Sequence, residues 1–187
     1  MLKLTAKELR RRKPTKEEFE AVSRNPIYLV LDNVLDTYNI GGLFRLADAI
    51  GAREVILCGE TETPPSSRIH KAAVGTEEWV AWSYAPTAAR ALQELKTKIV
   101  NLKIIAIEQA PNSVPFSSLS RSDKLCLSLT PNTPVAIVVG HETDGVSKNV
   151  LKMADLVVEI PMFGVNKSLN VIVSAAIAAY KILETSS

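Results

Sequence analysis

Residues 135 to 147 read VAIVVGHETDGVS: an apolar run, a glycine, then a histidine, a glutamate and a second glycine. The run is short, β-branched and continuous rather than alternating. That pattern suits a strand covered on both faces of a parallel sheet, with the polar loop behind it marking the strand's carboxyl end. Similar runs recur as IYLVLD (27–32), EVILCG (54–59), EWVAWSY (78–84), KIIAIEQ (103–109) and LVVEIP (156–161). Between them lie helix-like stretches at about 40–50, 87–100, 147–153 and 168–184. This βα alternation predicts an α/β protein, a parallel sheet in α/β/α layers. TETPPSS (61–67) and PNSVPFSSLSRSD (111–123) read as loops. No repeat, low-complexity tract or linker divides the 187 residues, a length suited to one well-cored domain.

The composition, 47% hydrophobic and 22% charged, is that of an ordinary globular chain. No apolar run reaches the roughly 18 residues of a membrane span, and MLKLTAKELRRRKPTKEE lacks the apolar core of a secretory signal. The expected location is the cytoplasm, with no membrane partner. Cys58 and Cys126 stand 68 positions apart with no metal-ligand spacing around them. They read as small buried hydrophobes, and neither a disulfide nor a metal site is expected.

Charge is unevenly spread. Residues 1–24 hold eight Lys or Arg against four Glu, while the remainder carries 14 basic against 16 acidic groups. A basic arm on a near-neutral body suits binding to a phosphate backbone; it also suits a solvated helix that keeps the protein soluble. Thr15 followed by Glu18 forms a capping box for a helix through about Ser23, ended by Asn25-Pro26.

Ligands of parallel α/β sheets sit at the carboxyl ends of strands, so the segments just past them matter most. After the first strand, Asn39 is a good helix N-cap, and Gly41 and Gly42 permit close backbone approach. Leu43, Leu46, Ala47 and Ile50 form the buried stripe and Gly51 closes the helix. Arg45 lies off that stripe, either facing a ligand or pairing with Asp48 at i+3. In GHETDG, Val146-Ser147 stands where a Walker loop needs Lys-Ser/Thr, and no G-x-G-x-x-G is present. A nucleotide-type cofactor turn is therefore unsupported. Glu142 reads as a carboxylate at a helix start or as part of a site. Histidine-based hydrolysis lacks its G-x-S-x-G elbow, with His70 and His141 the only histidines. After LVVEIP, Pro161 and Gly164 break the chain, Ser168 is a fair N-cap and Asn170 falls in the first turn. The helix behind is apolar on nearly every side, which calls for burial all round and suggests a subunit interface. Glu108 stands at the carboxyl end of KIIAIEQ.

Together the three strand ends, N39-I-G-G-L-F-R45-L-A-D-A-I-G51, VVG140-H-E142-T-D-G145-V-S147 and I160-P-M-F-G164-V-N-K-S168-L-N170-V, resemble the three motifs of the SpoU (TrmH-type) RNA 2′-O-methyltransferases of the SPOUT superfamily. The resemblance covers roughly residues 27–184, leaving 1–26 as a basic helical extension of a single domain at 27–187. Asparagine is more usual where His141 stands, the basic arm is not a shared hallmark, and there is no room for the separate N-terminal RNA-binding domain of several rRNA-modifying relatives.

The resemblance implies a deep C-terminal trefoil knot, an exception to the usual rules of chain connection. It also implies a homodimer and transfer of a methyl group from S-adenosylmethionine to a ribose 2′-OH of tRNA or rRNA, with tRNA slightly favoured. The cofactor pocket would use Gly140, Ile160, Met162 and Leu169, with Glu108 added, and the catalytic set would be Asn39, Arg45, Glu142, Ser168 and Asn170. The basic arm becomes an RNA clamp. The alternative is a non-catalytic RNA-binding protein that keeps the knotted fold.

Overall fold

The computed structural model describes residues 3–119, 129 and 132–186. Two short helices come first, α1 (Ala6–Leu9) and α2 (Lys16–Glu20). Each is closed by a capping box, Thr5 with Glu8 and Thr15 with Glu18. The second ends at Glu20, short of Ser23. There follow β1 (Ile27–Asp32), α3 (Thr37–Ala49), β2 (Glu54–Cys58), α4 (Ser67–Ala73), β3 (Trp82–Ala85), α5 (Ala88–Lys98), β4 (Lys103–Ile107), β5 (Val114–Pro115), β6 (Val135–Gly140), α6 (Lys148–Met153), β7 (Leu156–Glu159) and α7 (Val171–Ser186). The strands form one parallel sheet in the order β3-β2-β1-β6-β4-β7-β5. The α/β reading therefore holds.

Side chains alternate across the strands, and both faces are covered. Leu29 and Leu31 of β1 and Ile137 and Val139 of β6 join one apolar cluster with residues of α3, α4 and α7. Val30, Ala136 and Val138 join a second with α5 and α6. All six residues of β6 are buried, which is why its sequence shows no polar alternation. Pairing of β1 with β6 sets Asp32 beside Gly140, so both chains leave the sheet at one place.

Two local expectations are corrected. The strand drawn at 78–84 begins only at Trp82, because Thr76–Glu78 forms a 3-10 turn behind Gly75, whose φ is +89°. Arg24 fixes that turn by donating to the Trp79 carbonyl at 2.5 Å. Ser67–Ala73, whose start was read as loop, is helical: Ser66 caps it, accepting from Ile69 N at 3.4 Å, and Ile69 and Ala73 enter the core. Within a single chain the final helix is buried on one face, leaving the other for the subunit interface its sequence suggested. Ala175, Ala178, Ala179 and Ile182 are covered, while Val173 and Tyr180 are 46% and 52% exposed. Within the 111–123 stretch, Val114–Pro115 pairs with β7 and Phe116–Ser118 is a 3-10 turn; residues 120–123 lie outside the described residues, as does Cys126. Cys58 is fully buried, and burial together with the Asp32 carboxylate pushes its thiol up to about 12. Among the described residues, no helix is long and apolar enough to cross a membrane.

Helix α3 ends in a Schellman turn, with Ala52 N donating to Ala47 O at 2.8 Å and Gly51 N to Asp48 O at 3.1 Å, which requires the positive φ of Gly51. Gly41 and Gly42 serve helix packing. A methyl on Gly41 would lie 2.5 Å from Ala72 Cβ and 2.7 Å from Ala73 N of α4, and one on Gly42 would strike Ile172 of α7 at 2.3 Å. Gly41→Ala is accordingly expected to destabilise the fold by about 1–3 kcal/mol. A urea midpoint is the check; stabilisation, the usual effect of Gly→Ala in an open helix, would contradict this packing.

Candidate active site

The carboxyl ends of β4, β6 and β7 open on a cavity of about 420 Å³. Its walls are residues 107–109, 139–145 and 158–160, with Met162, Asn166, residues 168–171 and Ser174. The turn after β6 is tight: His141 N donates to Gly145 O at 3.1 Å and Gly145 N returns to His141 O at 2.9 Å. Gly140 has no room for a side chain, since a Cβ would stand 2.2 Å from the Gly145 carbonyl carbon. His141 Nδ1 accepts from the backbone N–H groups of Thr143 and Asp144 at 3.0 and 3.1 Å. The Asp144 carboxylate stands 3.7 Å from the same nitrogen.

Two carboxylates hold the far side of this turn. Asp32, only 3% exposed, accepts from Ser147 N at 2.9 Å and from Asn33 Nδ2 at 2.9 Å. Glu108 accepts from Val146 N and Gln109 N, each at 2.8 Å. Each Glu108 oxygen thus keeps a lone pair for a ligand. Gln109 Nε2 donates to Lys167 O at 2.7 Å, tying the end of β4 to the last loop.

A third carboxylate joins the motifs. Glu142 accepts from Leu35 N at 3.2 Å, Asp36 N at 3.1 Å and Asn39 Nδ2 at 2.9 Å. The Asn39 oxygen in turn accepts from Asn170 Nδ2 at 2.9 Å, and Asn170 Oδ1 accepts from Ile172 N at 2.8 Å. Burial pushes the Glu142 carboxyl up, but the Asn39 amide and the Asp36 and Leu35 N–H groups outweigh it, so its pKa lies below the ordinary value.

Of the residues singled out from sequence, Glu108, Gly140, Ile160, Met162 and Leu169 all line the cavity, as do Glu142, Ser168 and Asn170. Asn39 stands one hydrogen bond behind the wall. It is not the N-cap of α3: Asp36 is, accepting from Tyr38 N at 2.8 Å, while Asn39 is buried inside the first turn. Nor does Ser168 cap α7, which begins at Val171 under Asn170. Arg45 is exposed, outside the cavity walls, and makes no ion pair with Asp48 or any other described residue. Asp32, Gln109, Asp144 and Glu159 were not singled out. Asp32 and Glu159 end strands, so the rule that raised Glu108 would have found them.

The lining carries four carboxylates, Glu108, Glu142, Asp144 and Glu159, and no Lys or Arg. Such a site disfavours phosphates and suits a cationic ligand, while Val139, Val158, Ile160, Met162 and Leu169 add apolar wall. A sulfonium nucleoside fits that donor set and the glycine-lined approach at Gly140.

The sequence profile of the SpoU rRNA methylase family matches residues 26–180. The chain belongs to this family. It is 33% identical over 174 residues to the 23S rRNA (guanosine-2'-O-)-methyltransferase RlmB of Nitrosomonas europaea, covering 92% of this chain and 62% of that protein. The A. aeolicus TrmH/SpoU tRNA modifying enzyme superposes with a TM-score of 0.73 at 25% identity, over 96% of this chain and 81% of that one. The AdoMet-bound rRNA methyltransferase from Sinorhizobium meliloti does so with 0.72 at 26% identity, over 94% and 59%. This SpoU family chain spans about three fifths of the length of the curated relatives it matches.

Because its folded-state pKa is depressed, Glu142 contributes stability that is complete above the unfolded value of about 4.3 and is lost as pH falls through the folded value. Asn39→Ala is expected to raise the Glu142 pKa, read as a shifted side-chain carboxyl titration by NMR. An unchanged titration would remove Asn39 from the network.

Proposed function

We propose that this chain is a cytoplasmic enzyme transferring a methyl group from S-adenosylmethionine to a ribose 2′-OH of RNA. The observation that carries the reading is the acidic, Lys- and Arg-free cavity bounded by the second and third family motifs. Gly140, Ile160, Met162 and Leu169 hold the cofactor, and the free lone pairs of Glu108 take its ribose hydroxyls. When bound, S-adenosylmethionine supplies an electrophilic methyl group on a sulfonium. The protein's remaining work is to position the hydroxyl and stabilise its developing charge.

Glu142 stays ionised and fixes the Asn39 amide, which fixes Asn170 at the cavity wall beside Ser168. The Ser168 hydroxyl has no hydrogen-bond partner among the described residues and is free for substrate. Arg45 stays a cation at neutral pH, so its role is to steady the developing alkoxide or clamp the adjacent phosphate rather than to take the proton. Demand for a 2′-hydroxyl selects RNA over DNA.

A second copy of the chain completes the assembly. Phe163 and Val165 are fully open, and Val173 and Tyr180 extend the apolar surface along α7. Large apolar side chains left this open on the last loop and helix suit a protein contact. tRNA remains the favoured substrate, with the 23S rRNA named for the curated relatives as its rival.

Labelled methyl transfer to total tRNA and, separately, to rRNA, followed by nucleoside analysis, is the test. A 2′-O-methylated nucleoside from one pool, reduced about 10²-fold or more by Arg45→Ala, is the expected result. No incorporation into either pool, with cofactor binding intact, would favour a non-catalytic RNA-binding protein.

A further inference from the structure

The cavity's four carboxylates repel a polyanion, so binding of an RNA backbone must draw on cations elsewhere. The N-terminal arm divides its eight between two uses. Arg12 pairs with Glu18 and lies over the Trp79 ring, 5.8 Å from its centroid. Lys13 pairs with Glu78 at 2.8 Å, Lys16 approaches Glu20 at 3.9 Å, and Arg24 donates to the carbonyls of Trp79 and Ala52. Arg12 and Arg24 are thereby committed to the fold, and Lys13 and Lys16 already have acidic partners.

Lys3, Lys7, Arg10 and Arg11 are exposed and form no ion pair among the described residues. The backbone that carries them is nevertheless anchored. The end of α1 presses on Gly75, where a Cβ would meet Leu9 O at 2.2 Å and Arg10 N at 3.1 Å. Lys3 comes close enough to Asp48 of α3 for its charge, with that of Arg24, to oppose the desolvation that raises the Asp48 carboxyl. Asp48 lies one turn beyond Arg45 on the same helix. Of the carboxylates nearby, Glu8 is tied to Thr5 by bonds of 2.7 Å from both N and Oγ1, and Asp48 faces Lys3 and Arg24.

We infer that the anchored arm is a phosphate track: Lys3, Lys7, Arg10 and Arg11 hold the RNA backbone on the α3 side of the molecule and deliver the target ribose toward Arg45. This rests on the RNA methyl-transfer reading and adds to it the surface that takes the polyanion. The acidic cavity then holds the cationic cofactor while the RNA backbone stays outside it on the arm, and only the target ribose comes up to the methyl group at the cavity mouth.

The experiment compares wild type with the K3A/K7A/R10A/R11A variant, measuring RNA affinity against salt, methyl transfer, thermal midpoint and S-adenosylmethionine affinity. The RNA is the pool that accepts methyl groups from the wild type. Each lost phosphate contact lowers the slope of log K against log salt by about 0.7–0.9, so the slope should fall by about 3 and the affinity by about 10²-fold or more near 0.1 M salt. The thermal midpoint and cofactor affinity should not move, since none of the four side chains holds the fold. If the wild type methylates RNA and the variant keeps its slope and affinity, the track is refuted and the enzymatic reading stands. If the wild type neither binds nor methylates RNA, the enzymatic reading falls and the track falls with it.

Discussion

The hydrogen bonds running from Glu142 through Asn39 to Asn170 join three segments, and each of the two bonds spans more than a hundred residues of sequence. Glu142 belongs to the turn after β6, Asn39 to the first turn of α3 and Asn170 to the start of α7. An asparagine suits the middle position because its amide donates to the carboxylate while its carbonyl accepts from the second amide. Aspartate there would set two carboxylates together, and leucine would take one hydrogen bond from Glu142 and leave the Asn170 amide without its acceptor. The cavity wall depends on this chain of bonds, since it fixes both the Glu142 turn and the segment that carries Ser168 and Leu169.

The sheet supplies the second constraint. Four parallel strands end on one side, and each delivers a polar residue there: Asp32, Glu108, Glu142 just past Gly140, and Glu159. Concentrating negative charge is unfavourable unless each group finds donors. Asp32 and Glu108 find them in the backbone N–H groups of Ser147 and Val146, so carboxylates at the strand ends hold the loop of the site, and Glu108 lines the cavity as well. What remains unneutralised gives the cavity its preference for a cation. The basic groups lie on the outer face of α3 and along the arm, where a polyanion can reach them.

Much of this was legible in the residues. Continuous β-branched runs marked the strands because both faces of the sheet are covered, and the strand-end rule led to Glu108, Gly140, Glu142 and Asn170. The misreadings share one physical cause. Asn39 and Ser168 have good N-cap chemistry, and local preference placed helix starts there; Asp36 and Asn170 hold those positions because Asn39 is drawn inward by Glu142, a partner 103 positions away. Ser67–Ala73 is too short to show a helical period, and its stability comes from Gly41 letting α3 approach. Trp79 looked like strand because it is aromatic and apolar, yet Arg24 and Arg12 of the arm hold it in a turn. In each case a tertiary contact overrode a local preference that was itself correctly read.

The central claim is that the turn after β6 and the loop before α7 enclose a site for a sulfonium nucleoside. Calorimetric titration of S-adenosylmethionine into wild type and Gly140→Val tests it most directly, because a side chain at Gly140 must displace the Gly145-Val146 backbone. The account requires one site per chain in the wild type and loss of binding in the variant while the fold persists. Absence of binding to the wild type, or undiminished binding to the variant, would contradict it.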